Sequence, residues 1–309
     1  MEFGKGEHRV QAVSGVRFEV RAGETLGLVG ESGCGKSTLS RALLHLYRPR
    51  QGRVIFDGVD LGTLSARELR RMRRRLQLIL QDPVASLNPR RRVGEIVAEP
   101  LVIAGAADAT ERRRRVREVL AAVGLDADAV TQRRPHELSG GQCQRVSIAR
   151  TLVLEPQLVV CDEPVSALDV SIRAQIINLL EAMKARYGLT LIFVAHDLGV
   201  VRAVSDRVAV MYLGRICEIG DADTVFRRPA HPYTSTLLTA IPVPDPDMPR
   251  PRVTGRVELP SPLDPPSGCR FRTRCPRAEP LCGESTPGLR PMGEGREVAC
   301  HFPNEGSGV

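Results

Sequence analysis

Residues Leu26 to Leu39 read LGLVGESGCGKSTL. An apolar run ends at Gly30, and Gly35, Lys36 and Ser37 then complete the spacing G-x-x-x-x-G-K-[ST] of a phosphate-binding P-loop. The glycines allow backbone conformations that a Cβ would forbid, so successive N–H groups can converge on the β- and γ-phosphates. The sequence therefore predicts that this chain binds a nucleoside triphosphate.

The residues after the loop support the same prediction. A helix that begins near Lys36 would direct its positive N-terminal dipole at the phosphates, Lys36 would add a full charge, and the Ser37 hydroxyl would face Mg²⁺. The alternative is a glycine-rich turn with an incidental lysine, which the strand and helix context disfavours. The loop residues expected at the nucleotide are Gly30, Ser32, Gly33, Cys34, Gly35, Lys36, Ser37 and Thr38.

Composition narrows the class of partner. The 309 residues carry a net charge of +8, from 44 basic and 36 acidic side chains, but aromatic residues make up only 4%. No alternation of basic and aromatic residues accompanies the charge, so solvated helix faces and polar partners are favoured over nucleic acid. The chain has no run of eighteen apolar residues and no leader pattern. We expect it to be neither secreted nor membrane-spanning.

Apolar strand patterns alternate with helical patterns along the chain, which predicts an α/β fold with a mainly parallel sheet. The predicted strands are Val16–Val20, Thr25–Val29, Arg53–Asp57, Leu76–Leu80, Leu158–Cys161, Thr190–Ala195 and Arg207–Tyr212. The predicted helices are Thr38–Leu46, a basic helix that follows the capping box at Ser65, Thr110–Val123, Ser139–Leu154 and Val170–Tyr187.

Changes in composition suggest the domain organisation. Residues 1–240 are predicted to form the nucleotide-binding domain, with an α-helical insertion at about 84–150. Prolines dominate from Ile241 to Pro266, so residues 241–309 are predicted to form a linker and a small cysteine-bearing tail. The tail holds Cys269, Cys275, Cys282 and Cys300, and four clustered thiols in a reducing cytosol indicate metal before disulfide. Tetrahedral zinc, an iron–sulfur cluster and free thiols all stay open.

A second group of motifs narrows the function further. The stretch Leu138-Ser139-Gly140-Gly141-Gln142 opens a helix and so forms a second anion site. The apolar strand from Leu158 ends in Asp162, which can hold Mg²⁺ through water. Glu163 follows on the other side of the pleat and is expected to polarise the attacking water as general base. The alternative is a pair of N-cap residues.

At these residues the chain resembles the ATP-binding subunits of ABC transporters, whose signature is LSGGQ and whose Walker B strand ends in Asp-Glu. The resemblance implies that Ser139, Gly141 and Gln142 cover the γ-phosphate of ATP held by the opposite subunit of a head-to-tail dimer. It also identifies three single residues, namely the Q-loop Gln81, the switch His196 and the D-loop Asp169. The family uses an aromatic residue upstream of the P-loop to stack on adenine, and Phe3 is the only aromatic before Phe18.

Other stretches look specifically like the ATPases of oligopeptide/dipeptide importers: Gln81 to Pro89, Val93 to Ile96, His231 to Thr234, and Gly268 to Phe271 with Arg274 to Pro276. The form of Ala85 to Pro89 resembles the second of two paralogous ATPases. The resemblance implies ATP and Mg²⁺ as ligands, a second ATPase, two permeases that meet the region Asp82–Pro100, an external binding protein, and a peripheral position on the cytoplasmic face of the membrane. It also implies a [4Fe-4S] cluster as one state of the four terminal cysteines.

The sequence leaves two alternative functions open. Importers of nickel or another small solute share much of the pattern. A soluble ABC ATPase acting on nucleic acid or ribosomes is disfavoured, because the chain has one cassette and only a modest segment between Gln81 and Ser139.

Overall fold

The computed structural model describes residues 1–2, 10–239, 260–261 and 263–304 of the chain. Most of the predicted linker, and Phe3, therefore lie outside the described residues. The chain divides into two compact units. The first contains residues 1–19, 26–52 and 195–309, and the second contains residues 20–25 and 53–194.

The strands are β1 (Thr25–Val29), β2 (Ile55–Phe56), β3 (Val59–Asp60), β4 (Leu76–Ile79), β5 (Leu158–Asp162), β6 (Thr190–Val194), β7 (Arg207–Tyr212), β8 (Arg215–Asp221), β9 (Arg290–Pro291) and β10 (Glu297–Val298). The helices are α1 (Lys36–Leu43), α2 (Ala66–Met72), α3 (Pro83–Ser86), α4 (Val93–Ala104), α5 (Ala109–Ala122), α6 (Ala127–Val130), α7 (Gly140–Leu152), α8 (Val170–Tyr187), α9 (Leu198–Val204), α10 (Ala222–Arg227), α11 (Pro232–Thr239) and α12 (Leu281–Glu284), with 3₁₀ turns at Leu61–Thr63 and Pro135–Glu137.

The first unit is built around β1, which is buried along its whole length. This strand pairs in parallel with β7, and Leu26 lies opposite Arg207. A two-residue turn at Leu213 and Gly214 leads into the antiparallel β8. Strand β10 of the C-terminal region then pairs antiparallel with β8, and β9 with β10. The strand that leads into the P-loop and the C-terminal strands thus belong to the same unit.

The second unit contains the parallel strands β4, β5 and β6, with Leu158 opposite both Leu76 and Thr190. Their almost continuously apolar sequences suit a parallel sheet that is covered on both faces. The predicted P-loop NTPase core with a mainly parallel sheet is confirmed, and α8 and β7 have the predicted bounds.

The predicted α-helical insertion is also present, as α3 to α6 of the second unit. Helix α5 begins after Asp108, whose carboxylate accepts hydrogen bonds from the N–H groups of Thr110 and Glu111. Its buried face carries Val116 and Leu120, and burying such a side chain contributes about 1.5–3 kcal/mol. Arg113, Arg114 and Arg117 are exposed, as the sequence pattern predicts, and Arg112 and Arg115 are half-buried.

Three predictions of secondary structure need correction. No strand forms over Val16–Val20, where the Glu19 carbonyl accepts a hydrogen bond from the Arg207 guanidinium at 3.2 Å. The expected strand over Arg53–Asp57 is the short hairpin of β2 and β3. Strand β8 was missed because Glu218 interrupts its apolar pattern; the carboxylate is nonetheless fully buried and accepts hydrogen bonds from two backbone N–H groups.

Candidate nucleotide-binding site

The P-loop has a backbone that only glycine can adopt at two positions. Gly30 has φ of 154°, and a Cβ there would lie 2.1 Å from the Met211 carbonyl oxygen. Gly35 has φ of 105°, and a Cβ there would lie 2.1 Å from the Ala12 carbonyl oxygen. Substitution at either glycine would therefore displace backbone, which explains why the motif requires glycine at both positions.

Lys36 is the first residue of α1 and is only 5% exposed. Its Nζ donates hydrogen bonds to the Gly30 carbonyl at 2.7 Å and to the Glu31 carbonyl at 3.1 Å. No side chain caps the start of this helix, since the N-cap residue is Gly35. The first-turn N–H groups and the lysine therefore lie together at one helix end, which is the arrangement that binds phosphate.

The other predicted loop residues surround this helix end. Ser32 and Gly33 are exposed at the tip of the loop, and Ser37 and Thr38 are half-buried in the first turn of α1. Cys34 is buried, and burial raises the pKa of its thiol. Cys34 thus lies in the loop as a packed, protonated thiol rather than as a nucleophile.

Two of the predicted residues, Gln81 and Glu163, are in contact just beyond the end of β5. Asp162 ends the strand and is 3% exposed. Gln81 follows β4, and its Nε2 donates to the Glu163 carboxylate at 3.0 Å. Glu163 has φ of 48°, so it has left the strand, and the expectation that the pleat alone turns it away from Asp162 is wrong. A left-handed conformation in a residue other than glycine stores strain, which is typical of functional positions.

The signature residues form a reciprocal capping box at the start of α7. The Ser139 Oγ accepts from the Gln142 N–H at 3.3 Å, and the Gln142 Oε1 accepts from the Ser139 N–H at 3.0 Å. A Cβ at Gly141 would lie 2.8 Å from Ile172 Cγ2. Ser139 and Gly140 are exposed. The second unit therefore presents the capped, positive end of α7 at exposed residues.

Two further predicted residues lie at element boundaries. Asp169 is the exposed N-cap residue of α8, although its side chain caps no backbone N–H. His196 is exposed and follows β6, and the next residue, Asp197, caps α9 through the N–H groups of Gly199 and Val200. Both side chains are thus placed on the surface, where a partner or a ligand can reach them.

The Ser37 hydroxyl in the first unit and the Asp162 carboxylate in the second unit are each hard oxygen donors of the kind that Mg²⁺ prefers. The fit for a metal at the terminal cysteines is poor. Cys269, Cys275, Cys282 and Cys300 are free thiols, and nowhere in the described ranges are three or more His, Cys, Asp or Glu side chains arranged to hold a metal ion. Burial raises the pKa of three of these thiols, that of Cys300 to about 11.

Sequence reasoning missed the contacts of Glu31, the residue after Gly30. Its N–H donates to the Tyr233 Oη at 3.0 Å, and its carboxylate forms an ion pair with Arg274 at 2.8 Å. Tyr233 and Arg274 both stand in stretches that resemble the importer ATPases, but the resemblance gave them no role. Their separation from Glu31 in sequence left no local signal for the contacts.

Comparison with known families and proteins agrees with this geometry. The model of the ABC transporter family matches residues 13–166, and that of the oligopeptide/dipeptide transporter C-terminal region matches residues 217–282. Among the helices of the described residues, none is long and apolar enough to span a bilayer.

Curated relatives match over most of their length. A putative oligopeptide transport ATP-binding protein of Bacillus subtilis, YkfD, is 53% identical over 98% of this chain and 93% of its own. The oligopeptide transport ATP-binding protein OppF of Salmonella typhimurium is 53% identical over 91% of this chain and 84% of its own. A solved dimeric structure of the bacterial ABC transporter cassette MJ0796 is 31% identical, with a TM-score of 0.65 over 72% of this chain and 95% of that one. The chain belongs to the ABC transporter ATP-binding proteins, within the oligopeptide/dipeptide transporter family.

Proposed function

We propose that this chain hydrolyses ATP to drive the import of oligopeptides or dipeptides through an ABC transporter. The observation that carries the ATPase assignment is the P-loop, in which Lys36 and the uncapped start of α1 form a phosphate-binding end. The peptide cargo is supported by the relatives that are named as oligopeptide transport ATP-binding proteins. The names of these relatives favour a peptide over nickel, another small solute or a nucleic acid.

The proposed chemistry assigns one role to each motif. Lys36 and the loop N–H groups bind the β- and γ-phosphates, and Ser37, Gln81 and Asp162 are the proposed Mg²⁺ ligands. When bound, Mg²⁺ neutralises charge that develops on the phosphates. Glu163 is the proposed general base for the attacking water.

Gln81 orients this base, as the hydrogen bond to the Glu163 carboxylate at 3.0 Å supports. His196 is the proposed contact to the γ-phosphate from its exposed position after β6. In this scheme no covalent intermediate forms, so catalysis consists of positioning and electrostatic stabilisation.

The proposed working unit is a head-to-tail dimer with a second ABC ATPase, which is either a paralogue or a second copy. The exposed tip of α7, with Ser139, Gly141 and Gln142, would cover the γ-phosphate bound by the partner, and Asp169 would lie at the dimer interface. Two membrane permeases and an extracytoplasmic binding protein complete the proposed importer. The chain would then lie peripherally on the cytoplasmic face of the membrane, with 1–240 as its nucleotide-binding domain and 241–309 as linker and tail.

A Glu163→Gln variant of the assembled importer tests the proposed reaction. We expect ATP turnover to fall by about 10²- to 10⁴-fold, because the amide cannot accept the proton of the attacking water. ATP should stay bound and the ATPase dimer should stay closed, which size-exclusion chromatography with radiolabelled ATP measures. Glu155→Gln, at an exposed glutamate of the same unit outside the motifs, is the control and should hydrolyse ATP normally. Hydrolysis that persists in Glu163→Gln would place the base elsewhere.

A cluster at the terminal cysteines stays a prediction, and no step of the proposed reaction depends on it. An anaerobic preparation of the full chain that lacks both visible charge-transfer absorption and stoichiometric iron would rule the cluster out.

A further inference from the structure

Glu31 of the P-loop is bound through its backbone and its side chain at once. Its N–H donates to the Tyr233 Oη at 3.0 Å, and its carbonyl accepts from Lys36 Nζ at 3.1 Å. Its carboxylate accepts two hydrogen bonds from the Arg274 guanidinium, at 2.8 and 2.9 Å. One residue of the loop is therefore fixed by α11 and by the C-terminal region together.

These contacts connect distant parts of the chain. Tyr233 is 202 residues away from Glu31, and Arg274 is 243 residues away. The Arg274 and Glu31 side chains are only 17% and 24% exposed. Arg274 and Glu31 thus form a largely buried bidentate ion pair. Such a pair is stronger than an exposed ion pair, and its two hydrogen bonds fix its geometry.

The two side chains that hold Glu31 are themselves fixed by an aromatic cluster. The rings of Tyr212, Tyr233 and Phe271 are buried, with centroids 4.6 to 5.3 Å apart. The Arg274 guanidinium lies over two of these rings, 5.7 Å from the Tyr212 centroid and 5.9 Å from that of Phe271. Packing within the chain therefore fixes the positions of both the Tyr233 and the Arg274 side chain.

The position of Glu31 matters for phosphate binding for two reasons. Its carbonyl accepts a hydrogen bond from Lys36 Nζ, which also donates to the Gly30 carbonyl and to Cys34 Sγ, so the place of Glu31 helps to determine where the lysine ammonium lies. Its carboxylate would add negative charge to a loop that binds a polyanion. Arg274 neutralises that charge.

We propose that Arg274 and Tyr233 are positioning residues of the ATPase site, which hold the P-loop through Glu31 in its phosphate-binding conformation. The C-terminal region then sets the affinity for nucleotide, and through charge neutralisation it favours ATP over ADP. This inference rests on the proposed function, because it requires that the P-loop binds ATP.

Nucleotide titration of the full chain tests the proposal, with fluorescent ATP and ADP as probes. We expect Arg274→Ala to weaken ATP binding about tenfold and ADP binding less, because the exposed Glu31 carboxylate repels the more highly charged ligand more strongly. Arg277→Ala is the matched control, since Arg277 lies in the same segment but contacts Pro303 and Asn304. It should leave both affinities unchanged.

Two further variants separate positioning from general stability. Glu31→Gln added to Arg274→Ala removes the unpaired charge and should restore most of the preference for ATP, whereas a merely structural loss would not be rescued. In the assembled importer, Arg274→Ala should raise the KM for ATP and leave kcat nearly unchanged. Tyr233→Phe removes only the acceptor of the Glu31 N–H, and it should also raise the KM for ATP.

Equal affinities in the parent chain, Arg274→Ala and Arg277→Ala would overturn the inference and leave the proposed ATPase function intact. An equal loss for ATP and ADP without rescue by Glu31→Gln would also overturn it, because the tail would then act on stability alone. If the unaltered chain bound neither nucleotide, the proposed function and the inference would fail together.

Discussion

His231, which precedes Tyr233 in the chain, is held in its neutral state by burial and by a hydrogen bond. His231 is 2% exposed, and its Nδ1 accepts a hydrogen bond from the Tyr233 N–H at 3.0 Å, which requires the neutral ring. Burial lowers the pKa of this histidine to about 4. The backbone N–H of His231 donates to the buried Glu218 carboxylate at 2.9 Å. The neutral state of His231 is therefore part of the packing that supports Tyr233.

This burial predicts a loss of stability in acid. Between pH 6.5 and about pH 4 the unfolded chain binds a proton at His231 that the folded chain does not, so the free energy of unfolding falls as pH falls through this window. The contribution is on the order of 3 kcal/mol by pH 4. Urea unfolding at pH 7.5, 5.5 and 4.5 measures it.

The control for this prediction is His231→Gln. This variant should have a lower free energy of unfolding at pH 7.5, but that free energy should fall less between pH 7.5 and pH 4.5 than in the unaltered chain. Burial also raises the pKa of Glu218, and this shift makes the free energy of unfolding depend on pH with the opposite sign. Only the difference between the unaltered chain and His231→Gln therefore isolates the effect of the histidine. Identical pH slopes in both chains would contradict the account of His231.

Among the secondary-structure elements, α2 and α7 start with the same reciprocal capping box. Ser65 and Glu68 form it at α2, and Ser139 and Gln142 form it at α7. The two boxes share the same reciprocal pair of bonds, although the Ser65 Oγ also donates to the Glu68 carboxylate at 2.6 Å, and only the box of α7 belongs to the signature motif. They therefore offer a matched pair of positions at which to separate capping from function.

Replacing either serine by alanine should lower the free energy of unfolding by about 1 kcal/mol, the usual contribution of an N-cap. Only Ser139→Ala should also reduce ATP hydrolysis by the assembled importer, because its hydroxyl is the one proposed to meet the partner's nucleotide. Thermal unfolding and a steady-state ATPase assay on both variants check this. A similar ATPase rate in Ser65→Ala and Ser139→Ala would show that the signature serine is only a cap.

The elements that sequence predicted well are those whose determinants are local. Helix α8 has its predicted bounds because an apolar pattern ends at Gly188, which takes the left-handed conformation of a C-cap with φ of 61°. Strand β8 escaped prediction because its buried Glu218 is satisfied by N–H groups of Ala230 and His231, which follow in a later turn. A tertiary contact of this kind leaves no periodic signal.

For the molecule as a whole, the motif residues and the fold class followed from spacing, and the connections between distant segments did not. The P-loop, the Asp-Glu pair and the signature are contiguous patterns whose chemistry is recognisable in sequence. The contact of Glu31 with Arg274, and the pairing of β10 with β8, join residues far apart in the chain. Their energy comes from burial and geometry that only the folded chain defines. The C-terminal region therefore proved to be part of the P-loop unit.

In the proposed dimer, ATP is bound by the P-loop of one ATPase subunit and covered by the Ser139 end of α7 of the other. The structure of the assembled importer with Glu163→Gln and MgATP measures this directly, as the distance from the Ser139 Oγ to the nearest γ-phosphate oxygen. We predict a hydrogen bond of about 3 Å to the nucleotide on the partner's P-loop. A closed assembly in which the Ser139 end points away from every nucleotide would contradict the account.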